Sequence, residues 1–72
     1  MKVVFSHHTQ YRLYERGLDA WKVKAVAKDP SWQQQQRDGS IKARKEIEGI
    51  CIEVVYVEKG NTRIIKTAYL CT

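Results

Sequence analysis

Seventy-two residues make one domain, residues 1–72, and leave no room for a second. A chain of this size buries only roughly 60% of its unfolded surface, which argues against a deep enzyme pocket and for a shallow surface site. Thirteen Lys+Arg against eight Asp+Glu give a net charge of +5, a balance that favours polyanionic partners such as nucleic acid or an acidic binding protein.

Met1-Lys2-Val3-Val4-Phe5 runs straight into polar residues, so it does not read as a signal peptide. No apolar stretch approaches a membrane span. Cys51 and Cys71 show neither metal-type nor CxxC spacing. With nothing else pointing to secretion, they read as free, reduced thiols of a cytoplasmic protein.

Lys2 to Phe5 is β-prone and short, an edge strand or a lead-in. Ser6 is a good N-cap for a first helix, which Gly17 ends by supplying a left-handed position. Tyr11, Leu13, Tyr14 and Leu18 are its expected core anchors. Asp19 caps a second helix through about Lys28, with Val23, Val26 and Ala27 on one side. Trp21 lies elsewhere on that helix, and Asp29-Pro30 closes the helical half.

From Trp32 onward the period changes to alternation. Asp38-Gly39 is a strong two-residue hairpin signal, with Glu48-Gly49 and Gly60-Asn61 weaker ones. Three two-residue loops put Trp32, Gln34, Gln36, Ile41, Ala43, Ile52, Val54, Tyr56, Ile65, Thr67 and Tyr69 on one face. That face would meet the helices. The other face of the last two strands carries Cys51, Glu53, Val55, Val57, Ile64, Lys66, Ala68 and Leu70. It is too apolar for plain exposure, so either Val3-Val4-Phe5 covers it or it is a dimer or partner surface. This register sets Cys51 against Leu70, and a bridge to Cys71 would be strained. The expected fold is therefore α+β: two N-terminal helices on a four-stranded antiparallel meander, with a short extra N-terminal strand as the option left open.

His8, Arg12 and Arg16 recur every four residues on the first helix and so form one polar rail. An imidazole can take and return a proton near neutrality, and arginines can hold a phosphoryl group as charge gathers on it. Those are parts of a metal-free ribonuclease, although a capping histidine and surface arginines paired with Glu15, Asp19 or Glu53 give the same pattern. Arg37, Lys42, Arg44 and Lys45 make a second basic patch, which would touch phosphates or merely solvate an edge. Trp32 and the tyrosines could stack on bases, but core packing is the commoner use.

Phe5-Ser6-x-His8-x-x-x-Arg12-Leu13-x-x-Arg16-Gly17-Leu18 resembles the opening signature of the domain-of-unknown-function family 4258. Val23-x-x-Val26-Ala27-x-x-Pro30 is similar to its second helix, and Glu53-Val54-Val55-Tyr56 and Ile65-Lys66-Thr67-Ala68-Tyr69 to its closing strands. Thr9 and Lys66 depart from residues common at those positions. That family is grouped with the barnase–EndoU–colicin–RelE class of small ribonuclease-like folds, many of them toxins. The resemblance implies a RelE-like domain that cleaves or binds RNA without metal or cofactor. His8, Arg12, Arg16 and Tyr69 would be its catalytic set, with Thr67 beside them as a phosphate ligand. Arg37, Lys42 and Arg44 are the further substrate-binding candidates. The alternatives are a non-catalytic nucleic-acid- or protein-binding module, and a protein pairing with an antitoxin or a second copy through Val55, Val57, Ile64 and Leu70.

Overall fold

The computed structural model describes residues 1–71. It is an α+β fold with elements in the order β1 (Lys2–Phe5), α1 (Thr9–Glu15), α2 (Ala20–Lys28), β2 (Trp32–Gln35), β3 (Ile41–Ile47), β4 (Ile50–Lys59) and β5 (Thr62–Leu70). The sheet is five-stranded and mixed, ordered β1-β5-β4-β3-β2. This corrects the four-stranded antiparallel meander: β1 is a true strand, parallel to β5. It lengthens the sheet at its edge and does not cover the apolar second face. Both helices lie on one face, where Leu13, Val23, Val26 and Ala27 meet Ala43, Ile52, Val54, Tyr56, Ile65 and Ala68 to form the core.

Strand β1 pairs with β5 only as far as Phe5 opposite Ile65. Beyond that point β5 meets no strand on this side, and its carbonyls would be left unpaired, which is costly once water is excluded. Helix α1 supplies the partners. The Thr9 hydroxyl, itself in contact with the Ser6 hydroxyl, offers its single proton to the Ile65 and Lys66 carbonyls, at 3.0 and 2.8 Å, and Ser6 N also donates to the Ile65 carbonyl at 2.9 Å. Arg16 Nη1 donates to the Ala68 carbonyl at 2.6 Å.

Thr9, Leu13 and Arg16 thus form the inward stripe of α1, at the i, i+4, i+7 spacing of one helix face. Tyr11 and Tyr14, expected to anchor the core, fall off that stripe and are 69% and 85% exposed. The helix also begins later than Ser6 suggests: His8 holds the N-cap position without a side-chain cap bond. Its end is as expected, with Gly17 at φ 70. Leu18 N donates to Leu13 O and Gly17 N to Tyr14 O, the paired bonds of a Schellman closure.

Two register changes decide what the sheet shows on each side. The Asp38-Gly39 turn is a three-residue loop, not a two-residue one: Gln36 N donates to Ser40 O and Gly39 N to Gln36 O. Asp38 accepts from both Ser40 N and Ser40 Oγ, which holds its carboxyl below the ordinary value. The added residue slides β2 by one, so Trp32 faces Arg44 and leaves the helix side. Gln33 takes that side instead, accepting from the Tyr56 hydroxyl at 3.1 Å.

In β5 a β-bulge intervenes, with Tyr56 opposite Ile65 but Val55 opposite Thr67, leaving Lys66 unpaired. A one-residue slip exchanges the faces. Ala68 turns to the core and is fully buried. Thr67 and Tyr69, expected to face the helices, stand on the outer face. The trade places a small residue where α1 passes close to the sheet.

The same slip sets Cys51 against Cys71, whose backbone N donates to Cys51 O. The two are joined as a disulfide, with Cα atoms 5.2 Å apart, inside the span a bridge needs. The expectation of free thiols, drawn from the lack of a secretion signal and from the unbulged register, is thus corrected.

The edge-capping role of α1 predicts unequal costs on its two sides. Thr9→Val should lower the unfolding free energy by about 1–3 kcal/mol, because the Lys66 carbonyl loses its donor and the Ile65 carbonyl keeps only Ser6 N. Tyr14→Ala should change it by less than about 0.5 kcal/mol. Urea unfolding of the two variants measures both values.

Candidate functional site

The outer face carries one row of directly opposed residues across four strands. Trp32 of β2 faces Arg44 of β3, Arg44 faces Glu53 of β4, and Glu53 faces Tyr69 of β5. A second row beside it runs Gln34, Lys42, Val55 and Thr67. The Arg44 guanidinium lies 4.7 Å from the Trp32 ring centroid and donates through Nε to Glu53 Oε1 at 2.6 Å. One cation therefore stacks on an aromatic and pairs with an acid at once. Trp32 and Tyr69 remain 41% and 37% exposed, whereas Glu53 is 3% exposed.

Burial by itself would push the Glu53 carboxyl upward. The Tyr69 hydroxyl, the bond and charge of Arg44 and the charge of Lys42 outweigh it, so the group titrates below its ordinary value. The same contact to Glu53, with burial and the Glu53 charge, pushes the Tyr69 phenol above 10.0, against the opposing charges of Arg44 and Arg16. Near neutrality the pair is thus an ionised carboxylate beside a protonated phenol. It holds the row in place but is poorly matched to proton transfer at that pH.

The residues expected to form the site are divided among three places. Tyr69, Arg44, Lys42 and Thr67 share the outer face. Arg16 reaches the β5 edge near them, close enough for its charge to act on Tyr69, while its guanidinium binds the Ala68 carbonyl. His8 and Arg12 stay exposed, with His8 edge-on to His7 at 5.2 Å between ring centroids. A rail of every fourth residue drifts by about 40° per step and climbs about 6 Å. His8 is therefore about 12 Å along the helix from Arg16 and turned away from it. Arg37 sits in the β2–β3 loop, exposed.

Val55, Val57 and Ile64 do share the outer face and are half-buried there. Leu70, expected beside them, stands opposite Ile52 on the helix side. Among the described residues no helix is long and apolar enough to cross a membrane, and no three His, Cys, Asp or Glu side chains converge as metal ligands.

Sequence reading missed Trp32 and Glu53 as members of one site. A two-residue Asp38-Gly39 turn puts Trp32 on the core face, and Glu53 reads from the sequence as a candidate ion-pair partner for the helix arginines. The spacing of Arg44 and Glu53 about the two-residue Glu48-Gly49 turn is the signal that makes those two cross-strand neighbours; Trp32 joins them only through the three-residue loop. No protein-family profile, no curated protein and no solved structure matches the chain.

The titrations in this row predict a stability window. Glu53 contributes stability that is complete above 4.5 and is lost as pH falls through its lowered folded value. Tyr69 contributes stability that is complete below 10.0 and is lost as pH rises through its raised value. Urea midpoints of wild type and Glu53→Gln should differ most between these limits and converge in strong acid. A difference unchanged into strong acid would contradict the assignment.

Proposed function

We propose that this chain is a small single-stranded RNA-binding domain whose platform is the outer face of the sheet. The observation that supports it is the row Trp32–Arg44–Glu53–Tyr69, with aromatics on its first and last strands. Three strand spacings separate the two aromatics, about 14 Å. Bases can stack on an exposed aromatic or on a guanidinium plane, and cations between them can follow the phosphates. Arg44 within the row and Lys42 beside it supply such cations. Glu53 then has a positioning role: its bond holds the Arg44 guanidinium over Trp32.

Open sheet faces suit unstacked single strands, whose bases are free to lie on them, better than duplexes. A RelE-like, toxin-type ribonuclease is the second reading. It draws support from Arg16 acting on Tyr69 and from the family resemblance of the first helix. It needs His8 as well, two turns away.

A fluorescently labelled single-stranded RNA should bind more tightly than the same sequence as a duplex. Trp32→Leu and Tyr69→Leu should each weaken binding roughly 5- to 100-fold, the range for loss of one stacking contact. His8→Ala should bind as wild type does. Wild-type affinity in both aromatic variants contradicts the platform. Cleavage of the strand by wild type, lost in His8→Ala, would establish the second reading in its place.

A further inference from the structure

A cleft of about 380 Å³ opens on the opposite side of the sheet, between β1 and α2, lined by Met1, Val3, Trp21, Lys24, Ala25 and Lys28. Its walls follow from helix geometry. Val23, Val26 and Ala27 face the core, so the neighbouring stripe of Trp21, Ala25 and Lys28, with Lys24 beside it, looks over the β1 edge. Val3 is turned to the helix side, opposite Arg63, and is half-buried. The floor is therefore apolar.

Trp21 is 58% exposed, with the Lys22 ammonium 5.6 Å from its ring centroid, so much of a large aromatic surface is left open. The charges of the cleft are also one-sided. No acidic side chain lines it, and neither Lys24 nor Lys28 makes an ion pair among the described residues. The nearest acids along the chain are engaged elsewhere: Asp19 with Lys22 at 3.6 Å and Asp29 with Lys45 at 3.4 Å. Lys24 leans over the Phe5 ring, 5.4 Å from its centroid. Two ammonium groups one helical turn apart, beside a flat exposed ring and an apolar floor, define an amphipathic anion with a planar body.

We propose that this cleft binds a planar aromatic phosphate of nucleoside-monophosphate size, its ring system stacked on Trp21 and its phosphate held between Lys24 and Lys28. A phosphate dianion matches two lysines, and stacking on a single aromatic accepts any flat ring. The site shares no residue with the outer face, so the two stand or fall separately.

Titration of the ¹⁵N-labelled full chain with AMP tests the site, because the indole N–H signals of Trp21 and Trp32 report on opposite sides of the sheet. The Trp21 signal should shift and saturate as for one site, at AMP concentrations below those that move the Trp32 signal. Adenosine and inorganic phosphate should each bind at least about tenfold more weakly than AMP, and so should AMP to Trp21→Leu and to Lys24→Gln/Lys28→Gln. The absence of a saturable shift at Trp21, a shift at Trp32 in its place, or wild-type binding by the double lysine variant would overturn the proposal.

Discussion

A strand shows alternate residues to alternate faces, so one residue without a partner decides what the rest of the strand displays. Two such residues shape this sheet. Lys66 is passed over between the Tyr56–Ile65 and Val55–Thr67 pairs, and the β2–β3 loop holds one residue more than the tightest turn. Together they bring Trp32 and Tyr69 to the same face as Arg44 and Glu53. Without either shift, an aromatic would lie under the helices and the row would not exist. The bulge also gives α1 its seat, because it turns the small Ala68 inward opposite Val54, where the unbulged strand would set the larger Thr67.

The short reach of β1 has an equally local consequence. A parallel edge strand that stops at Phe5 leaves half of β5 without a neighbour, and α1 answers with a hydroxyl and a guanidinium. Arg16 is thereby tied to backbone, and its part in any phosphate chemistry would be secondary to that bond. The basic rail of the first helix is better understood as one edge-capping arginine followed by an exposed arginine and histidine. The disulfide between Cys51 and Cys71 fastens the end of β5 beside the same row, so the bulged register is held on both sides of Tyr69.

Much of this was legible in the residues. Gly17 and Asp19 bound the two helices as expected, Val23, Val26 and Ala27 fill the core, and the Glu48-Gly49 and Gly60-Asn61 turns have two residues each. What failed was counting. A Gly after Asp fits both a two-residue turn and the left-handed position of a three-residue loop, and nothing in Ile65-Lys66-Thr67 marks a bulge. Each miscount moves side chains by a whole face, which is why Trp32, Thr67, Ala68, Tyr69, Leu70 and Cys71 are all misplaced together. Tyr11 and Tyr14 misled for another reason: their size suggested burial, but the inward stripe of a helix only 7 residues long was already filled by Thr9, Leu13 and Arg16.

The face assignment of Tyr69 carries the account, and nuclear Overhauser contacts in the free protein measure it directly. The Tyr69 ring protons should show contacts to the Glu53 and Arg44 side chains, and the Ala68 methyl to Leu13. Contacts from the Tyr69 ring to Leu13, with Ala68 on the side of Glu53, would show an unbulged strand and remove the row on which the proposed binding face is built.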